Sequence, residues 1–120
     1  MAAQDPEFIR ELFSAFGPVS VRRMFSGTGI FADGLMFGLA VRGEIFLKVD
    51  DVTRPAFEAE GSKPFVYRRG QGREVALSYW RLPERLMDDP GELARFARTA
   101  LATAHHAAAK KKPVAKKRKR

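Results

Sequence analysis

Two dipeptides nine residues apart, Asp33-Gly34 and Arg42-Gly43, each interrupt an apolar stretch of the chain. A dipeptide of this kind is a hairpin signal. The tight turn that joins two twisted strands needs positive φ at both central positions, and glycine adopts it without steric cost. Asp33-Gly34 is the stronger of the two. Together they predict a three-stranded antiparallel meander over about 20–32, 35–41 and 44–49. Inside the first of these strands, Gly27 and Gly29 indicate a bulge or a close approach of backbone.

If both turns hold two residues, Ala32 faces Leu35 and Val41 faces Glu44. One sheet face then carries Phe31, Met36, Gly38, Ala40, Ile45, Leu47 and Val49. The other carries Ile30, Leu35, Phe37, Leu39, Val41 and Phe46. Both faces are apolar, whereas a half-solvated antiparallel sheet alternates. Either helices cover both, or one face meets another chain; a three-residue second turn would instead restore a single core face. In the two-residue register Leu35, Phe37, Leu39, Val41 and Phe46 form weakly covered apolar surface. Such a surface points to a homodimer or an obligate protein partner.

Helix signals flank the meander. Asp5-Pro6-Glu7 offers an N-cap carboxylate, a proline at the first helical position and an acid in the first turn. Phe8, Ile9, Leu12, Phe13 and Phe16 follow at helical spacing, and Gly17-Pro18 ends the run, predicting a helix over 5–16. Asp51 can cap a short helix that runs through Phe57 to Glu60 and stops at Gly61. Pro64 to Arg69 and Arg73 to Arg81 form a second hairpin about Gly70-Gln71-Gly72. Pro83 to Met87 reads as a short helical turn, and Asp89-Pro90 opens a last helix that frays over its Ala-rich end, 102–109. The expected order is α-β-β-β-α-β-β-α, a two-layer α+β domain with a five-stranded antiparallel sheet and no internal repeat.

Charge divides the chain more sharply than hydropathy does. It has 22 Lys and Arg against 14 Asp and Glu, yet residues 1–109 hold 14 of each. The remaining eight bases are Lys110, Lys111, Lys112, Lys116, Lys117, Arg118, Lys119 and Arg120, with no acid among them. The predicted organisation is a disordered start at 1–4, a neutral domain at 5–104 and a disordered basic tail at 105–120. Like charges in a row attract polyanions through counterion release, with little sequence preference. Without cysteine the chain has no disulfide, thiolate metal site or cysteine nucleophile. The N-terminus has no basic, then apolar, secretory pattern, and no apolar run is long enough to span a bilayer.

The catalytic inventory is thin. His105 and His106 are adjacent, so on a helix they diverge by about 100° instead of converging on a metal. No serine sits in a nucleophile elbow, and Asp50-Asp51 and Asp88-Asp89 read as helix-start chemistry. Gly27-Thr28-Gly29 and Gly70-Gln71-Gly72 lack a phosphate-loop lysine pattern. The basic pairs Arg22-Arg23 and Arg68-Arg69 lie in strands and expose one arginine per face. Tyr67, Tyr79 and Trp80 would have to be exposed beside them to make an RNA-reading sheet, and strand aromatics are more often core. The expectation is a protein without catalytic residues, metal or cofactor.

Several blocks resemble a known family. They are Val21-Arg22-Arg23-Met24-Phe25-Ser26-Gly27-Thr28-Gly29 running on to Asp33-Gly34, Phe46-Leu47-Lys48-Val49-Asp50, Gly61-Ser62-Lys63-Pro64-Phe65 and Ser78-Tyr79-Trp80-Arg81-Leu82-Pro83-Glu84. From about residue 7 to 103 the chain looks like the N-terminal domain of the TfoX/Sxy regulators, with Arg22, Arg23, Met24, Phe25, Gly27 and Gly34 in its distinctive block. Ser26 stands where the family often has glycine, and Thr28 where it often has an aromatic. The resemblance implies a two-layer α+β domain and a place in bacterial competence regulation, where full-length members act with the cyclic-AMP receptor protein. Those members carry a second helical domain where this chain has its lysine-rich segment. The expected function is that of a regulatory or accessory protein in the bacterial cytoplasm, associated with the nucleoid. Its domain would bind a protein partner, and its tail would bind DNA without sequence preference. The alternative is a homodimeric binding module, or an RNA- or ribosome-associated protein with no transcriptional role.

Overall fold

In a computed structural model of the chain, which describes residues 5–24, 27–69 and 73–118, the first helix starts where its capping residues place it. Helix α1 is Pro6–Leu12, and the Asp5 carboxylate accepts from the Glu7 backbone N–H at 3.2 Å. It ends one turn before the expected Phe16. The chain tightens there, with the Phe16 and Gly17 N–H groups both donating to the Phe13 carbonyl at 2.9 and 3.0 Å, and Gly17 takes φ 133°. The tighter turn brings both Phe13 and Phe16 onto Phe37, with ring centroids 5.8 and 5.3 Å away.

Among the described residues the sheet has six strands, not five. The segment expected as one strand over 20–32 is a hairpin, β1 (Ser20–Met24) and β2 (Gly27–Ala32), with Met24 opposite Gly27; Phe25 and Ser26 lie outside the described residues. Glycine at 27 is required by close approach, not by a bulge. A Cβ there would lie 2.5 Å from the Ala40 carbonyl oxygen and 2.8 Å from Val41 Cγ2. Gly27→Ala is therefore expected to cost about 1–3 kcal/mol by overpacking, read as a lower urea midpoint. An unchanged midpoint would mean that β2 and β3 part without penalty.

Strands β3 (Leu35–Val41) and β4 (Glu44–Lys48) complete the meander through two type I′ turns. Asp33 and Gly34 have φ 55° and 75°, and Arg42 and Gly43 have 50° and 81°. Both two-residue turns are as expected. Gly34→Val should cost about 1–3 kcal/mol, since a β-branched residue is forced into left-handed backbone; an unaltered melting temperature would contradict the turn.

Between the turns, one detail changes the faces. Phe31 pairs with Met36 but Ile30 pairs with Gly38, so Phe37 is an extra residue, a β-bulge. Phe37 and Gly38 consequently share a face, and every assignment on the N-terminal side of the bulge inverts. Leu35 and Phe37 lie on the helix side with Ile30, Ala40, Ile45 and Leu47, while Leu39, Val41 and Phe46 lie on the other. The five residues expected to share one apolar surface do not share it.

After β4 the Asp50 carboxylate, not that of Asp51, organises the turn into α2 (Arg54–Ala59). It accepts from the Val52 and Thr53 N–H groups at 3.0 and 2.9 Å, and the Asp50 N–H donates to Thr53 Oγ1. These donors, Thr53 first, hold the Asp50 pKa below the usual carboxylate value. Asp51 pairs outward with Arg54 at 2.9 Å. Strand β5 (Pro64–Arg69) then runs to the sheet edge, and β6 (Arg73–Arg81) returns between it and β4, giving the order β1-β2-β3-β4-β6-β5. The expected Gly70-Gln71-Gly72 turn lies outside the described residues.

A 3-10 helix (Glu84–Asp88) leads into α3 (Pro90–Arg118), where Asp89 accepts from the Glu92 N–H at 3.2 Å. The expected fraying over 102–109 does not occur, and α3 continues through these residues. Alanine has the strongest helix propensity, Ala104 is buried in the core, and His105 reaches Asp33 at 3.0 Å. The main core lies between the sheet and this helix layer, with Ile9, Phe13, Ile30, Phe37, Leu47, Leu86 and Leu93 fully buried.

Candidate functional site

The opposite sheet face carries a second, smaller cluster. Leu39, Val41, Phe46 and Tyr79 are buried there, with Met36 and Phe65 packed against them. Strand β5 brings Phe65 over Phe46, ring centroids 5.0 Å apart and nearly edge-to-face. The Tyr79 hydroxyl donates to the Met36 carbonyl at 3.4 Å, and burial pushes its pKa up to about 12. The Lys48 ammonium lies 5.1 Å from the centre of the Tyr79 ring. Thus Leu39, Val41 and Phe46, expected as weakly covered apolar surface, are buried within one chain, with Phe65 of β5 and Tyr79 of β6 packed beside them.

Beside this cluster the sheet opens into a cleft of about 270 Å³. Val41, Phe46, Phe65 and Val66 form its apolar floor; Arg42, Glu44, Lys63 and Arg81 stand on its rim. Val66 is 38% exposed. Arg81 Nη2 approaches Glu44 Oε2 at 3.5 Å with both side chains about half exposed. Arg42 and Lys63 are exposed and have no ion pair among the described residues. Sequence reasoning missed this cleft because it joins the β3–β4 turn to the start of β5 across strands that are not consecutive. One signal was present. Arginine stands at the first centre of a type I′ turn, where Asn, Asp or Gly is preferred.

Arg22 lies on the outer face, its guanidinium 4.8 Å from the Phe31 ring centre, and Arg23 is exposed. Met24 pairs by its backbone with Gly27, and Phe25 lies outside the described residues. Tyr79 and Trp80 are packed in the two clusters, which is their core reading, not a base-stacking one. Lys110 is exposed on α3; the backbone of Lys111, Lys112, Lys116, Lys117 and Arg118 belongs to the same helix, and Lys119 and Arg120 lie outside the described residues.

Bidentate Arg–Glu pairs tie the helix layer together. Arg85 grips Glu60 through two bonds of 3.0 and 2.7 Å, and Arg95 grips Glu92 likewise at 3.0 and 2.8 Å. These hydrogen bonds lower the pKa of both glutamates and raise that of both arginines. Asp89 caps α3 as the sequence indicated, whereas Asp50, in place of the expected Asp51, orders the turn before α2. His105 and His106 are both exposed. Among the described residues there is no group of three acids or histidines arranged for a metal, and no helix long and apolar enough to cross a membrane.

A family model described as TfoX N-terminal domain matches residues 11–104. The match runs from the end of α1 to Ala104, the last core residue of α3, and leaves the basic segment beyond it. No curated protein matches the chain.

Proposed function

We propose that the chain, which belongs to the TfoX N-terminal domain family, is a non-enzymatic regulatory or accessory protein. Its domain takes a protein partner, and its basic segment holds DNA without sequence preference. The separation of charge carries this reading. Residues 1–109 balance 14 bases against 14 acids, and all eight excess bases follow the last residue of the family match. A body without net charge gains little from the phosphate backbone, whereas a run of bases gains from every counterion it releases. Support for a non-enzymatic role comes from the carboxylates, several of which cap helices or pair with arginines, and from a family that offers no catalytic residues to transfer. The link to competence and transcription rests on the family resemblance.

The test is a full-length variant in which Lys110, Lys111, Lys112, Lys116, Lys117, Arg118, Lys119 and Arg120 are all replaced by glutamine. Fluorescence anisotropy on labelled duplex DNA should show binding by the parent chain and none by the variant. Both should melt at the same temperature, because no core residue is changed. Tight duplex binding by the variant would overturn the proposal.

A further inference from the structure

We propose that the cleft between the β3–β4 turn and the start of β5 is a docking site for an extended, acidic segment of a protein partner. An apolar residue of that segment would sit on Phe65 and Val66, with carboxylates reaching Arg42, Lys63 and Arg81. The proposal deepens the reading above that the domain takes a protein partner.

Charge is the first argument. Three cations and one acid line the cleft, and the acid engages Arg81 at 3.5 Å. Elsewhere Arg54, Arg85 and Arg95 each have a carboxylate within 2.9 Å. Arg42 and Lys63 have none among the described residues. In a body whose bases and acids cancel, that leaves a local positive site awaiting an anion. Arg42 adds a second observation. It holds φ 50°, a conformation unfavourable for an arginine and better served by Asn. The residue least suited to the turn is the one that places a guanidinium on the cleft.

The shape of the site selects a peptide over a nucleic acid. Its floor is apolar, with Val66 exposed beside Phe65. Phe46 and Phe65 meet edge-to-face and Phe46 is buried, so the pair offers no open ring platform for a base. Strand β5 is the sheet edge and, among the described residues, pairs with β6 alone. Its outer backbone groups can therefore receive an added strand, the mode in which the main chain supplies affinity and neighbouring pockets supply specificity.

The experiment uses the full chain with its basic segment saturated by unlabelled duplex DNA, so that the probe reports on the domain. The probe is a short fluorescein-labelled peptide with a central phenylalanine between alternating aspartates and glutamates. Arg42→Asn, Lys63→Gln and the double variant are compared with the parent. Each single change should weaken the peptide about fivefold, the loss of roughly 1 kcal/mol per ion pair, and the double change about 25-fold. Arg42→Asn should leave the melting temperature unchanged or raise it, because Asn suits the turn. Replacing the peptide's phenylalanine by alanine should also weaken binding.

Equal affinity of parent and double variant, or no binding by the parent, would overturn the proposal. Displacement of the peptide by a short oligothymidylate that the double variant also fails to bind would assign the cleft to nucleic acid, and would overturn it too. These failures leave salt-dependent duplex binding by the basic segment intact, whereas failure of the DNA reading removes that binding and spares the peptide.

Discussion

Duplex affinity of the full chain is expected to fall by roughly four orders of magnitude between 50 and 200 mM salt. Each phosphate neutralised on duplex DNA contributes about −0.9 to the slope of log affinity against log salt. Eight bases in the terminal segment set its limit at about −7, and the balanced body adds almost nothing. The measurement is anisotropy on one duplex across a salt series, repeated with two or three unrelated sequences. Slopes should agree among sequences, since phosphate contacts position a protein without reading bases. A shallow slope, or one that changes with sequence, would show that the domain itself reads DNA.

That prediction depends on residues whose role is legible in one dimension. Charge runs, turn dipeptides and caps are local, and so they were readable: Asp5 and Asp89 cap and Asp33-Gly34 turns as their chemistry dictates, and Arg42-Gly43 turns on its glycine although Arg42 is held at φ 50°. Asp50 displaced Asp51 by one residue because Thr53 returns its hydroxyl to the Asp50 N–H, a reciprocity that composition alone does not rank. The strand count failed for a related reason. Gly27 signalled a close approach, but its neighbour, the Ala40 carbonyl, lies thirteen residues on, and only the antiparallel pairing of Ser20–Met24 with Gly27–Ala32 makes β1 and β2 separate strands. The cleft was less legible still, since its two lips meet only after β5 has passed beyond β6 to the edge. The His105 contact with Asp33 spans 72 residues and left no local trace.

The bulge at Phe37 had the largest consequence, and it yields the most severe substitution. Phe37→Ala is expected to lower stability by about 3–5 kcal/mol, the cost of a deleted buried phenylalanine. The ring has no solvent exposure and packs against Phe13 and Phe16, meeting the former edge-to-face at 85°. Against the ~5–15 kcal/mol typical of a domain, such a loss brings the native state close to its threshold. At roughly 4–8 °C per kcal/mol, the melting temperature should drop by at least about 12 °C. The same experiment tests the register. Phe37 and Phe13 share a contact, so the double variant Phe13→Ala/Phe37→Ala should depart from additivity by about 0.5 kcal/mol or more. Phe37 and Phe46 belong to clusters on opposite faces of the sheet, so their double variant should be additive within about 0.5 kcal/mol. Urea denaturation of the three single and two double variants measures both quantities. Additivity of Phe13 with Phe37, together with coupling of Phe37 to Phe46, would put the ring on the outer face and restore the unbulged register.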